Sequence, residues 1–279
     1  MDLRFHIPHT EETLRKYKHE VPSISSDELP ESFDARKQWP NCIGLKTVQN
    51  QKQCGGCWAF AISSVMSDRF CIASNGSVNV LLSAEQLVSC CGDECTLDEG
   101  FTGCNGGNQQ GAYEWIIQHG LVTGGTYESQ VGWSTPYKQD SHYAESYAAL
   151  GSNVENIMKE IYVNGPVSAG ILVYKKFKRL EDEIYKYEKG DARKGGHAIK
   201  IIGWGRENNE DYWLIQNSWG QNWGIDGYGK IRRGTNEVDI ESFVFGAVPK
   251  LDNASGTSTT TISTFSSEFP DYFTGHDDE

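Results

Sequence analysis

All eight cysteines of this 279-residue chain fall between Cys42 and Cys104, and none follows. Crowding of this kind ties one part of the backbone to itself and leaves the rest to fold without cross-links. It points to a disulfide-stapled first lobe and an oxidising compartment. The length suits one large domain or two small lobes around a cleft. With 38% apolar and 11% aromatic residues, a sizeable core can form. A net charge of −13 argues against nucleic acid and against anionic membrane surfaces as partners. No run approaches the roughly 18 apolar residues of a membrane span.

Residues 1–28 read as a separate segment, either a flexible leader or the remnant of an inhibitory propeptide. Its Thr10-Glu-Glu-Thr-Leu14 stretch carries an N-cap and first-turn acids, and Pro22 to Pro30 breaks the pattern. Met1–His6 has no apolar core segment, so it does not read as a signal peptide. The body, 29–250, changes period part-way. Trp58 to Ile72 is apolar at helical spacing and closed by Asn75-Gly76. Ser83-Ala-Glu-Gln86 has the form of a capping box, and Gln110–His119 and Asn153–Asn164 read as helices. Ala198–Ile202, Tyr212–Ile215, Gly227–Ile231 and Phe243–Val248 read as strands between Gly and Asn turns. A helical, cysteine-rich half before a β-rich half is an α+β plan with a cleft between lobes. The tail, 251–279, holds six acidic residues and no Lys or Arg, a composition that favours disorder. Asn75 and Asn253 begin Asn-X-Ser sequons, which fit a secretory route.

Cys57, in Cys54-Gly-Gly-Cys57-Trp-Ala-Phe60, sits at the head of the first long helix. Unpaired N–H groups and the helix dipole favour a thiolate there, and a thiolate is a strong nucleophile. The chain must then supply a base, an orienting group and oxyanion donors. Of seven histidines only His197, in Gly195-Gly-His197-Ala-Ile, has two preceding glycines and a following apolar strand to hold its ring. Asn217, in Gln-Asn217-Ser-Trp219-Gly, can accept from the far ring nitrogen and fix the tautomer, with Trp219 shielding that bond. Gln51, six residues before Cys57, can join the Cys57 N–H as the second donor of an oxyanion hole. A redox role for Cys54-x-x-Cys57 lacks its βαβ context. The cysteine spacing offers no paired Cys-x-x-Cys set for zinc. Neither a metal nor a cofactor is expected.

These segments resemble the papain family of cysteine proteases, and within it the cathepsin B branch. The likeness runs from about Leu29 to Pro249, through Leu29-Pro-Glu-Ser-Phe-Asp-Ala-Arg36, Leu82-Ser-Ala-Glu-Gln-Leu87, Cys104-Asn-Gly-Gly107, Tyr137-Lys-Gln-Asp140 and Asn164-Gly-Pro-Val167. Cys90-Cys91 and Tyr127-Glu-Ser point to the branch. The resemblance implies a two-lobed fold, with a helical disulfide-rich left lobe and a β-barrel-like right lobe. It implies Cys57 as nucleophile, His197 as its ion-pair partner, Asn217 as orienter and Gln51 as oxyanion donor. It implies bridges Cys42–Cys71, Cys54–Cys104 and Cys91–Cys95, with Cys57 and Cys90 free. Substrate would lie against Gly106, Gly107, Gly196, Ala198 and Trp219, with Phe243 at the base of the pocket for the second residue before the cleaved bond (P2).

The chain departs from the branch in five places. Gly56 stands where the family has Ser or Ala, and Lys52 where it often has Gly. Only Trp133-Ser-Thr-Pro136 separates Gly132 from Tyr137, where cathepsin B carries a long occluding loop with paired histidines. That shortening implies an endopeptidase without dipeptidyl carboxypeptidase activity. Phe243 in place of an acid implies apolar P2 residues, while Asn108 and Gln109 make the pocket wall more polar. The implied partners are peptide or protein substrates and cystatin-type inhibitors, acting on a monomer in a secretory, endolysosomal or vacuolar setting. A non-catalytic binding protein and a latent zymogen are the competing forms of the same fold.

Overall fold

The computed structural model describes residues 19–97, 102–124 and 140–251. The elements run β1 (Phe33–Asp34), α1 (Ala35–Gln38), α2 (Cys57–Ala73), α3 (Ala84–Cys90), α4 (Gln109–His119), β2 (Ala144–Ala149), α5 (Val154–Asn164), β3 (Val167–Tyr174), β4 (Ile184–Tyr185), β5 (Arg193–Glu207), β6 (Glu210–Gln216), β7 (Tyr228–Arg232) and β8 (Val244–Pro249). Among the described residues eight strands form one sheet in the order β2-β8-β3-β5-β6-β7-β4, with β1 added beside β5. Every pairing is antiparallel except β4 with β7. Two buried clusters match two lobes. One gathers Ile171, Ile201, Trp204, Trp213 and Ile231 on the sheet; the other gathers Trp58, Met66, Phe70, Leu87 and Tyr113 among the helices.

The division along the chain is less clean than the change of period suggests. Phe33 pairs with Trp204 across β1 and β5, so the start of the body belongs to the sheet lobe. Strands β2 and β3 flank α5 and carry few sequence marks of their own. Their places come from pairing with β8 and β5, distant in sequence. The capping box before α3 is half formed. Ser83 accepts from the Gln86 N–H, but the Gln86 side chain accepts from Val122 N–H instead. Residues 19–28 do not hang free. His19 donates its backbone N–H to the Tyr147 carbonyl of β2, and Val21 packs on the sheet core. None of residues 19–28 lines the active cleft described below. Residues 1–18, the 133–136 stretch and the tail from 252 lie outside the described residues.

Helix α2 is buried on every face from Trp58 to Cys71, because both lobes pack against it. Its polar residues therefore need internal partners. Ser67 Oγ donates to the Ser63 carbonyl at 2.6 Å and accepts from Leu82 N–H at 2.8 Å. Arg69 donates to the carbonyls of Pro166, Ala247 and Gly165 and to Glu160 Oε1 at 2.8 Å. A Cβ at Gly246 would lie 2.6 Å from Arg69 Nη2, so only glycine admits this guanidinium. Lys200 of β5 reaches Asp68 at 2.5 Å and Ser64 Oγ at 2.7 Å. Burial drives Asp68 up and Lys200 down, and each charge pulls the other back.

The Cys42–Cys71 bridge fixes the far end of α2, and Cys54–Cys104 fixes the loop before it. Cys91–Cys95 closes the short turn after α3, and Cys57 and Cys90 are free.

Burial alone would raise the Glu160 carboxyl. The Arg69 charge and the His19 side chain outweigh it and hold the group at about 2 instead of 4.5. A carboxyl held below its unfolded value adds stability above that value and gives it up as pH falls through the folded one. The shift is worth roughly 3 kcal/mol. Glu160→Gln should therefore melt lower than the parent at about pH 7, and the gap should close between about pH 4.5 and 2. Equal melting temperatures at neutral pH would contradict this reading.

Candidate active site

Cys57 is the first residue of α2, and Gly56 before it offers no side-chain cap. The backbone N–H groups of Ala198, Trp58 and Cys57 itself instead lie close enough to its sulfur to favour the thiolate. Ala198 follows His197 in β5, so one contact joins the head of the helix to the histidine strand. Cys57 and His197 line one cleft between the lobes, together with Gln51, Gly106, Gly107, Gly196, Ala198 and Trp219. A groove of similar size on the sheet lobe, lined by Phe33, Arg36, Tyr212 and Tyr228, holds neither a cysteine nor a histidine.

The His197–Asn217 pair defines its own proton. Asn217 Oδ1 accepts the Ser218 N–H at 2.8 Å, which identifies that atom as the oxygen. It lies 2.8 Å from His197 Nε2, so the ring nitrogen must be the donor. Nδ1 is then left unprotonated and able to accept a proton. The Trp219 ring lies over the imidazole at 4.5 Å between centroids, tilted by 32°. Phe177 and Trp223 pack edge-on against Trp219 and keep water from the bond.

Gln51 is held by the same loop. Its N–H donates to the Ser218 carbonyl, and its Oε1 accepts from Ser218 Oγ at 2.6 Å. That bond turns Nε2 toward the Cys54–Cys57 loop, where one of its two hydrogens goes to the Cys54 carbonyl at 2.9 Å. The other is available to a bound oxygen. On the left wall, Trp58 Nε1 donates to the Gly103 carbonyl, and a Cβ at Gly107 would lie 2.2 Å from the indole. Glycine there lets the 103–107 turn lie flat on Trp58 and present its backbone to the cleft.

Burial pushes the Cys57 thiol up, and the backbone donors only partly offset it. Burial drives His197 down to about 4, opposed by the Asn217 hydrogen bond and assisted by the Lys178 charge. The helix end thus does less for a lone thiolate than its position suggests. Either charge alone is disfavoured. A proton passed from the sulfur to Nδ1 would create both charges together, and their attraction would oppose the cost of burial.

Phe243 is not among the residues lining this cleft. It is half-buried before β8, and its carbonyl accepts from Gly170 N–H. Gln109 does line the cleft, buried, and its Oε1 finds no donor among the described residues; Asn108 instead caps α4. Lys178, Lys194 and Trp223 also line it. The two lysines escaped sequence reading, because nothing local distinguishes them from surface lysines.

Comparison with known proteins bears on this arrangement. Residues 29–248 match the papain family cysteine protease family. The chain belongs to that family. It is 39% identical to "Cathepsin B-like cysteine proteinase 5" of Caenorhabditis elegans, over 90% of this chain and 82% of that protein. It is 40% identical to "Cathepsin B-like cysteine proteinase 4" of the same organism, over 90% and 83%. Among solved structures, proCathepsin B S9 from Trypanosoma congolense superposes with a TM-score of 0.70 at 31% identity, covering 88% of this chain and 82% of that one. The protease is thus a cysteine peptidase of the papain-like α+β fold, with cathepsin B-like relatives.

Asn217→Asp tests the pairing in this protease. A carboxylate beside the ring favours imidazolium, so His197 should titrate well above about 4. The pH profile of Cys57 alkylation should move with it, whereas Asn217→Ala should slow alkylation at every pH. An unchanged profile in both variants would show that Asn217 does not govern the ring.

Proposed function

We propose that this protease is an endopeptidase whose nucleophile is Cys57. The sulfur proton passes to His197 Nδ1 and the thiolate adds to the peptide carbonyl carbon. The Cys57 N–H and the unused Gln51 Nε2–H receive the oxyanion. The C–N bond then breaks as the imidazolium gives its proton to the leaving amine, leaving a thioester on Cys57. Water adds to the thioester with His197 as base, releasing the new carboxyl end and restoring the thiol. Asn217 holds the ring for both transfers. The observation that carries this reading is the 2.8 Å Nε2–Oδ1 contact, whose donor and acceptor the Ser218 N–H assigns.

The Cys104–Gly107 turn and the Gly196–Ala198 strand supply backbone groups on both walls, which suits an extended peptide. The endopeptidase mode rests on the sequence of the 133–136 stretch, which holds no histidine to capture a free C-terminal carboxylate. The apolar P2 preference rests on the sequence alone, where Phe243 stands in place of an acid, because Phe243 itself lies outside the cleft lining. Gln109 also borders the cleft. Three bridges and an acid-tolerant Glu160 suit an oxidising, acidic part of the secretory route. We further propose a monomer, inhibited by cystatin-type proteins, with residues 1–28 as leader or propeptide remnant and 251–279 as a tail outside the catalytic body.

An internally quenched peptide with a blocked C-terminus should be cleaved within its length, and Cys57→Ser should cleave it at least about 10³-fold more slowly. Arg at P2 should be cleaved less well than Leu. Efficient release of free C-terminal dipeptides, or a preference for Arg at P2, would contradict the finer assignment.

A further inference from the structure

The chain carries a net charge of −13, yet among the described residues its cleft is lined by Lys52, Lys178 and Lys194 and by no Asp or Glu. The last two share one wall with His197. Lys194 is the extra residue of a β-bulge, between the Val173–Gly195 and Tyr174–Arg193 pairs of β3 and β5. A bulge at this point re-aims a side chain that regular pairing would otherwise direct by alternation. Lys178 lies in the single turn Phe177–Arg179, anchored by the wholly buried Phe177, whose carbonyl accepts from Trp223 Nε1 at 3.0 Å. Its charge is felt at the His197 ring.

Neither lysine is neutralised by its surroundings. Among the described residues neither forms an ion pair, and three of the five carboxylates between them in sequence are engaged elsewhere. Glu188 pairs with Lys176, Asp182 pairs with Lys230, and Asp191 accepts the Lys176 N–H at 2.9 Å. In the reaction proposed above, the leaving amine takes its proton from His197. The residues after the cleaved bond must therefore pass along the wall that His197 and Trp219 share with the two lysines.

We propose that Lys178 and Lys194 make the leaving-group side of the cleft a subsite for acidic residues, selecting Asp or Glu one or two positions after the cleaved bond. This deepens the peptidase reading and rests on it. A basic residue there meets two cations and, among the described residues, no counter-ion. A neutral one gains nothing from them, and an acidic one gains two solvent-facing attractions.

The test uses internally quenched peptides that differ only in those two positions, as Asp, Ala or Lys, at about pH 6, where carboxylates are ionised. Enzyme concentration is fixed by Cys57 titration with an epoxide inhibitor. Asp peptides should exceed Lys peptides about tenfold in kcat/KM, summed over two exposed pairs and their two repulsions. The ratio should shrink in about 1 M salt, where screening acts within a few ångströms. Lys178→Glu/Lys194→Glu should reverse the order. Should that variant not fold, Lys194→Gln alone should halve the logarithm of the ratio. Equal cleavage of Asp and Lys peptides, or a preference that survives these substitutions, would overturn the proposal. Failure to cleave any peptide while Cys57 still reacts with the epoxide would overturn the peptidase reading itself, and the subsite with it.

Discussion

A buried ion pair, Lys200 with Asp68, joins the two lobes at their centre. Both side chains are almost wholly withdrawn from water, so neither charge can be left without the other. That requirement admits one register of helix α2 against strand β5. Asp68 is eleven residues along the helix from Cys57, about 16 Å of axis. Lys200 is three residues along the strand from His197, about 10 Å. With the pair closed at one end, the Ala198 N–H meets the Cys57 sulfur at the other. Cys57 and His197 come from different lobes, yet share one cleft because of this lock.

A second lock acts on the other side of the site. The 217–219 loop accepts and donates to Gln51 through Ser218, while Asn50 bridges to Trp219 and Gly220 N–H reaches the Gln49 carbonyl. Asn217, which bonds the His197 ring, and Gln51 are thus parts of one hydrogen-bonded unit. The aromatic cluster of Phe177, Trp219 and Trp223 covers it and also carries Lys178 to the edge of the cleft.

Much of this was legible in the residues. The long apolar segment after Cys57 ends where Asn75 and Gly76 take left-handed conformations, as the Asn-Gly pair suggested. From Ala198 to Ile201 strand β5 alternates as period two requires, with Ala198 in the helical core and Ile199 and Ile201 in the sheet core, and the register shift that follows puts Ile202 in the sheet core as well. The disulfide partners were implied by family resemblance, not by spacing, and the bridges in the structure agree with it. What local pattern could not show was the fate of the polar residues in α2. Ser63, Ser67, Asp68 and Arg69 look like a solvated face, but their partners lie up to 178 residues away in sequence. The same limit hid β2 and β3, the bulge at Lys194, and the place of Phe243 outside the cleft lining.

The register lock is tested most directly by the rate of Cys57 alkylation across a double-mutant cycle on Asp68→Asn and Lys200→Met. Each single substitution should slow the reaction, because an uncompensated charge lets helix and strand shift. The double variant should recover part of the loss, giving coupling beyond additivity. Single variants that alkylate at the parental rate would show that the sulfur and the ring are brought together by something else.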